Sequence, residues 1–238
     1  MTEIQTVGVI GGGVMGSGIA QALAVGGCRV TVRDLNDQLI EKSRHTIVEG
    51  RYGIERGVER GKTTREDADA ALSRLSWTTS IDDLEDVDLL IEAVPEDLEL
   101  KKKIFLELDE ALKAGAIFAT NTSGLAISDL NKAVSQERRA RFIGMHWFSP
   151  APVMKLVEII HAPDTAEDTI AALEGLCQRA GKVSIRVKDA PGRYGFVGNR
   201  VYFAAVREAQ KVLEEGIASV EDINKAMVYG FNWPVGPL

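Results

Sequence analysis

The apolar residues of this chain fall into short unbroken runs separated by stretches with helical spacing. From Ile4 to Ile10 the run is closed at once by three glycines, which reads as a strand buried on both faces and ending at a turn. Val14 to Ala24 has helical periodicity, and Cys28 to Val32 gives a second strand. Leu35 to about Arg60 reads as a long, polar-faced helix interrupted by Gly50, Gly53, Gly57 and Gly61. Val87 to Val94, Ala116 to Thr120 and Phe142 to His146 are further buried strands, separated by amphipathic helices at Glu96 to Lys113 and Ser128 to Val134. Met154 to Ile160 and Val183 to Val187 are later strands flanking a helix at Thr165 to Ala180. This alternation predicts an α/β fold, a doubly wound and mostly parallel sheet with right-handed crossovers and helices on both faces.

After Asp189 the pattern changes. Phe196 to Glu214 and Val220 to Tyr229 are helical, with Ser219 as an N-cap followed three residues later by Asp222. The boundary is expected near Ala190 to Gly195, giving a first domain over 1–190 and an all-helical one over 191–238.

Composition narrows the class of partner. The chain has 238 residues, 45% hydrophobic and 26% charged, which excludes disordered and fibrous classes. Its net charge of −7 is spread without a run of five or six like charges, so no basic face is expected for nucleic acid or anionic lipid. No stretch approaches the roughly 18 apolar residues of a membrane helix. Cys28 and Cys177 lie far apart in apolar segments, without metal-ligand spacing, and are expected to pack as buried thiols with no metal. The few residues ahead of the first strand leave no room for a targeting peptide, so the expected setting is the cytoplasm, with small-molecule partners.

The turn Gly11-Gly12-Gly13-Val14-Met15-Gly16 follows a strand and opens a helix, the context in which G-x-G-x-x-G binds a dinucleotide. Gly11 permits the tight turn, Gly13 lets the backbone approach a diphosphate, and Gly16 allows the helix to pack closely on the strand. The first domain is therefore expected to be a Rossmann fold. Asp34 stands at the end of the second strand, 18 residues after Gly16, where its carboxylate accepts from ribose hydroxyls and repels a 2′-phosphate. NAD is expected over NADP. Two other readings stand beside this one: Asp34 as a strand-end residue that merely starts a turn, and the adjacent Arg33 as a group that tolerates a 2′-phosphate.

His146 ends one strand, and Glu158 lies in the next among Leu156, Val157, Ile159 and Ile160. A carboxylate in such surroundings needs a partner, and a histidine in reach would gain the means to take a proton near neutral pH. On physical grounds alone the reading stays open, because a strand glutamate also faces solvent and a lone histidine is also a structural residue.

The segments Ile10 to Gly16, Glu92-Ala93-Val94-Pro95-Glu96, Asn121-Thr122-Ser123, Gly144-Met145-His146-Trp147-Phe148, Pro150 to Glu158 and Gly236-Pro237 resemble the L-3-hydroxyacyl-CoA dehydrogenase family in order and spacing. The resemblance spans almost the whole chain. It implies oxidation of an L-3-hydroxyacyl-CoA thioester by NAD, as in fatty-acid β-oxidation. In that scheme His146 is the general base, Glu158 orients it, and Ser123 and Asn199 hydrogen-bond the reacting oxygen or thioester carbonyl. It further implies that Glu96 and Lys101 line the ribose and nicotinamide side, with Asn121 near the nicotinamide ribose. For Glu96 a first-turn helix carboxylate is the plainer alternative.

Three departures from the family pattern stand out. Gly124 follows Ser123 where the family repeats serine, and Ser149 stands where it has asparagine. The family's Pro-Gly-Phe-Val-x-Asn-Arg appears as Pro191 to Arg200 with three extra residues ahead of Asn199. The family's helical domain also continues past the Gly-Pro motif, so the second domain is expected to be incomplete at Leu238, and with it the homodimer interface that the resemblance implies. Other enzymatic and non-enzymatic readings are a dehydrogenase of another 3-hydroxy acid, and an NAD-binding protein without turnover. Lys101, Lys102 and Lys103 read as a solvated helix face, one of which touches the cofactor in the alternative reading. Arg138, Arg139 and Arg141 read as a solvated loop or, alternatively, a contact for a CoA phosphate, and Trp147 and Phe148 as core.

Overall fold

The computed structural model describes residues 3–238. The apolar runs become strands β1 (Thr6–Ile10), β2 (Arg29–Arg33), β3 (Leu75–Thr78), β4 (Leu89–Glu92), β5 (Ile117–Thr120), β6 (Phe142–Trp147), β7 (Leu156–His161) and β8 (Val183–Lys188). They form one sheet in the order β3-β2-β1-β4-β5-β6-β7-β8, with a strand-order reversal between β1 and β4. All neighbours are parallel except β6 and β7, which run antiparallel. This is the Rossmann-type doubly wound sheet expected from the alternation, extended at one edge.

The helices are α1 (Val14–Val25), α2 (Asp37–Val48), α3 (Ile54–Glu59), α4 (Arg65–Leu72), α5 (Leu98–Ala111), α6 (Ile127–Leu130), α7 (Gln136–Arg139), α8 (Glu167–Arg179), α9 (Val197–Glu214) and α10 (Val220–Phe231). The expected helix from Leu35 to Arg60 is two helices, because the chain turns sharply at its glycines. A Cβ on Gly50 would stand 2.3 Å from the Thr46 carbonyl oxygen, and one on Gly53 would stand 2.7 Å from that of Val48. β3 was not expected from the pattern. It is a four-residue edge strand of half-buried residues, too short and mixed to show a period.

Strand alternation sorts the core into two faces. On one, Ile91, Ala119 and Met145 cluster with Ile19 and Leu23 of α1 and with Leu173 and Leu176 of α8. On the other, Phe118 and Phe142 meet Phe105 of α5, at ring-centroid distances of 6.0 and 4.7 Å. By the same parity Glu92, Thr120 and His146, at the carboxyl ends of β4, β5 and β6, belong to this second face. Both cysteines are buried and free. Burial pushes the Cys177 thiol up to about 12, which makes it unreactive at neutral pH.

Arg138 corrects the expectation of a solvated basic loop. Its side chain is 4% exposed and pairs with Asp109 at 2.8 Å. The guanidinium also donates to the carbonyls of Leu112 (3.1 Å), Lys113 (2.8 Å) and Ala116 (3.0 Å), closing the chain end that follows α5. Lysine at this position would keep the charge but lose the planar fork that serves these acceptors together. Arg138→Lys is expected to cost about 2 kcal/mol, read as a shifted urea midpoint with an unchanged slope.

The chain forms two compact units, one running to Tyr194 and the other Gly195–Leu238. The second consists of α9, α10 and the closing segment. As expected, Ser219 caps α10 by accepting from the Asp222 N–H at 3.1 Å. Asn224 exchanges hydrogen bonds with both backbone groups of Leu238, and a Cβ on Gly236 would collide with that asparagine at 2.2 Å. Among the described residues, no helix is long and apolar enough to cross a membrane.

Candidate active site

The glycine turn lies where β1 passes into α1, at the point of strand-order reversal, the place where open α/β sheets bind ligands. Each glycine answers a different constraint. Gly11 has φ +92°, a left-handed conformation that disfavours a side chain. A Cβ on Gly16 would stand 1.8 Å from the Gly11 carbonyl oxygen, so only glycine lets α1 start this close to β1. A Cβ on Gly13 would meet nothing within 4 Å, and its φ of −68° is ordinary. Nothing in the fold demands a glycine there; what it preserves is open space before the N–H groups of Val14, Met15 and Gly16, the unsatisfied first-turn donors of α1. No side chain caps them, and Val14 is 76% exposed beside them. This uncapped helix end behind a bare backbone fits the diphosphate of a dinucleotide.

Asp34 follows β2 and faces the same turn. Its Oδ2 accepts from the Gly12 N–H at 2.7 Å and its Oδ1 from the Leu35 N–H at 2.7 Å. Each oxygen keeps a further lone pair for a ribose hydroxyl. Arg33 points elsewhere, its Nε donating to the Thr79 carbonyl at 3.3 Å. The turn is braced from below by residues that the sequence reading did not single out. The buried hydroxyl of Ser17 donates to the Gly12 carbonyl at 2.7 Å and pairs with that of Ser43 in α2 at 3.0 Å. Both sit within helical patterns, where a small polar residue gives no signal.

Across β4 and β5 from that turn, the antiparallel pairing of β6 and β7 sets His146 directly opposite Glu158. Opposed residues on an antiparallel ladder share a face and stand close enough for their side chains to touch. Nδ1 of His146 lies 2.7 Å from Glu158 Oε2, with the side chains 5% and 0% exposed. The Phe148 ring packs at 4.7 Å from the imidazole. Trp147 is buried, as expected, with its indole on the α1 side of the sheet.

Between the glycine turn and this pair, Glu92 ends β4 and Thr120 ends β5 as register partners. Lys101 corrects the expectation of a solvated lysine face. Its side chain is 1% exposed, 2.5 Å from Glu92 and 3.5 Å from Glu96. Glu96 is not a first-turn helix carboxylate: it lies ahead of Asp97, the N-cap of α5, and its Oε1 accepts from Thr122 Oγ1 (2.6 Å) and from the Ser123 N–H (2.8 Å). Asn121 accepts on Oδ1 from the Trp147 N–H at 2.9 Å, tying the end of β5 to the residue after His146. Burial first and the Glu96 carboxylate second raise the Tyr194 phenol above its ordinary range. Asn199 lies in the first turn of α9, in the second unit. Within the first unit, the glycine turn, Asp34, Glu96, Asn121 and Ser123 therefore sit at or just beyond strand ends, Lys101 in the first turn of α5, and His146 and Glu158 on the antiparallel pair of β6 and β7. Glu92 and Thr122 were not anticipated, although a glutamate ending an apolar strand run was a visible signal.

Residues 6–190 match the NAD-binding domain of 3-hydroxyacyl-CoA dehydrogenase, and residues 195–238 match the C-terminal domain of the same family. The chain is 41% identical over 237 residues to a 3-hydroxybutyryl-CoA dehydrogenase of Mycobacterium tuberculosis, covering 99% of this chain and 80% of that protein. It is 39% identical over 237 residues to the mitochondrial hydroxyacyl-coenzyme A dehydrogenase of Rattus norvegicus, covering 98% and 74% respectively. The crystal structure of (S)-3-hydroxybutyryl-CoA dehydrogenase from Ralstonia eutropha superposes with a TM-score of 0.92 at 42% identity, over 99% of this chain and 81% of that one. Sequence motifs, sheet order and both matched segments agree that the chain belongs to the 3-hydroxyacyl-CoA dehydrogenase family.

Proposed function

We propose that this chain interconverts L-3-hydroxyacyl-CoA and 3-oxoacyl-CoA with NAD, and that His146 is its general base. The observation that carries this reading is the buried 2.7 Å contact between His146 Nδ1 and Glu158 Oε2. An ionised carboxylate only accepts, so Nδ1 carries the proton and Nε2 carries the basic lone pair. In the oxidation direction Nε2 takes the proton of the C3 hydroxyl, and Glu158 stabilises the imidazolium that forms. NAD held at this site would supply the acceptor for the C3 hydrogen and its electron pair, leaving the chain only the proton to move. Ser123 holds the substrate oxygen; Asn199 keeps the substrate-binding role that the family resemblance implies. The turn from Gly11 to Gly16 and Asp34 grip the diphosphate and ribose, while Glu96, Lys101 and Asn121 set the nicotinamide end.

The test is NADH absorbance after addition of acetoacetyl-CoA, with free acetoacetate and NADPH as controls. Oxidation is expected only with the CoA thioester and NADH together. Bound NADH with no oxidation would overturn the dehydrogenase reading in favour of a binding protein. In the same assay Glu158→Gln is expected to lower kcat about a hundredfold with unchanged NADH affinity, because an amide offers the imidazole either tautomer and no charge.

A further inference from the structure

A buried ion pair is a poor source of stability, since well-packed apolar residues of similar volume do as well or better. The pair between Glu92 and Lys101, at 0% and 1% side-chain exposure, therefore calls for another reason. Its hydrogen bonds give one. Glu92 Oε1 accepts from Lys101 Nζ at 2.5 Å and from the Val94 N–H at 2.7 Å, while Oε2 accepts from Thr120 Oγ1 at 2.6 Å. Both oxygens are thus committed inside the fold, and Glu92 is not a ligand contact. Lys101 in turn donates to the Val94 carbonyl at 3.2 Å and stands 3.5 Å from Glu96 Oε2. Glu96, with a 31% exposed side chain, holds the Ser123 N–H at 2.8 Å and Thr122 Oγ1 at 2.6 Å. Thr122 Oγ1 itself accepts from the Leu125 N–H at 3.0 Å.

We infer that Glu92 is a positioning residue: by holding the Lys101 ammonium at the end of β4, it keeps Glu96 on the Ser123 turn and so fixes the nicotinamide side of the site. Lys101 is shared unequally between two carboxylates. Neutralising the nearer one leaves Glu96 as its sole anionic partner in this cluster. Closing the 3.5 Å gap would draw Glu96 toward the lysine and off the Ser123 N–H. The inference rests on the reading given above of Glu96 and Lys101 on the cofactor side and of Ser123 on the substrate, and it names the unassigned group that organises them.

The test is a double-mutant cycle with Glu92→Gln and Lys101→Met, read by NADH fluorescence titration and by hydrogen exchange of the ligand-free protein. Glutamine keeps nearly the shape of the carboxylate and one accepting oxygen, and its amide nitrogen donates to the Thr120 hydroxyl, but the charge is gone. It is expected to weaken NADH binding about tenfold and to speed exchange at the 121–125 turn. In the Lys101→Met background the same substitution should change neither quantity further, because its target is gone. Exchange at the β1 and β2 amides should stay as in the parent, which a general loss of structure would not allow. Parent-like NADH binding and exchange in Glu92→Gln, or effects that simply add to those of Lys101→Met, would overturn the proposal. Should Glu92→Gln not fold, Glu92→Asp carries the same cycle with a smaller effect, since it keeps the charge but, one methylene shorter, draws it back from the Lys101 ammonium. The exchange readout needs no ligand and no turnover. A parent protein inactive toward acetoacetyl-CoA would count against the catalytic reading while leaving the role of Glu92 decided by exchange.

Discussion

His146→Asn is expected to lower kcat for acetoacetyl-CoA reduction about a thousandfold while leaving NADH affinity within roughly twofold of the parent, the scale of loss when a positioned acid–base group is removed. Asparagine suits the test because its amide nitrogen stands where Nδ1 stood and still donates to Glu158. The buried carboxylate is then not left without a partner, which would add a folding defect to the chemical one. Asparagine nevertheless has no atom that takes or returns a proton near neutral pH. The separation matters more than the size of the loss. The imidazole lies on the β6–β7 pair, whereas the cofactor donors lie at the start of α1 on the far side of β4 and β5. Stopped-flow measurement of NADH binding beside steady-state turnover reads both quantities. Parallel loss of binding and turnover would remove His146 from the proton transfer and make it a packing residue.

The second large effect is a contrast between two glycines three residues apart. Gly16→Ala places a methyl 1.8 Å from the Gly11 carbonyl oxygen, a contact relieved only by moving α1 away from β1. NADH binding should be lost and the melting temperature should fall by several degrees, on the order of 2 kcal/mol or more of strain. Gly13→Ala meets no protein atom within 4 Å and requires no unusual backbone angle. Its melting temperature should stay within about 2 degrees of the parent, while NADH affinity falls on the order of a hundredfold, because the methyl occupies the approach of the diphosphate. Thermal melts with and without NADH separate the two cases. Unimpaired NADH binding by Gly13→Ala would show that the diphosphate does not approach the helix end over that residue.

Most of the sheet was legible because parallel strands buried on both faces advertise themselves as unbroken apolar runs. The run ending at Ile10 and the run before His146 needed no tertiary information. What stayed hidden had no local periodic signature. β3 is short and lies at an edge, and the α2–α3 break depends on how Gly50 and Gly53 clear carbonyls one turn away. The antiparallel direction of β7 was hidden too, and with it the physical reason for the meeting of His146 and Glu158. Lys101 and Arg138 mislead for a related reason. Their sequence neighbourhoods are charged, and only the fold shows that one ammonium and one guanidinium are turned inward to acidic partners and chain-end carbonyls. Conversely, Glu92 was visible as an acidic residue ending an apolar run, yet its consequence lies in contacts spread from Val94 to Thr120.

The opposition of His146 and Glu158 is a matter of strand register, and this sets how the protein tolerates insertions and deletions. Side chains alternate across a strand with period two, so a single residue added between Leu156 and Glu158 would turn the carboxylate to the opposite face of the sheet. An added residue in the connecting segment from Phe148 to Lys155 leaves the ladder beyond it in step. A change of length should therefore disturb the pairing less in that connection than within either strand. A library that varies loop length at Val153 and Met154, both exposed, should yield variants that keep proton transfer while altering whatever the loop covers.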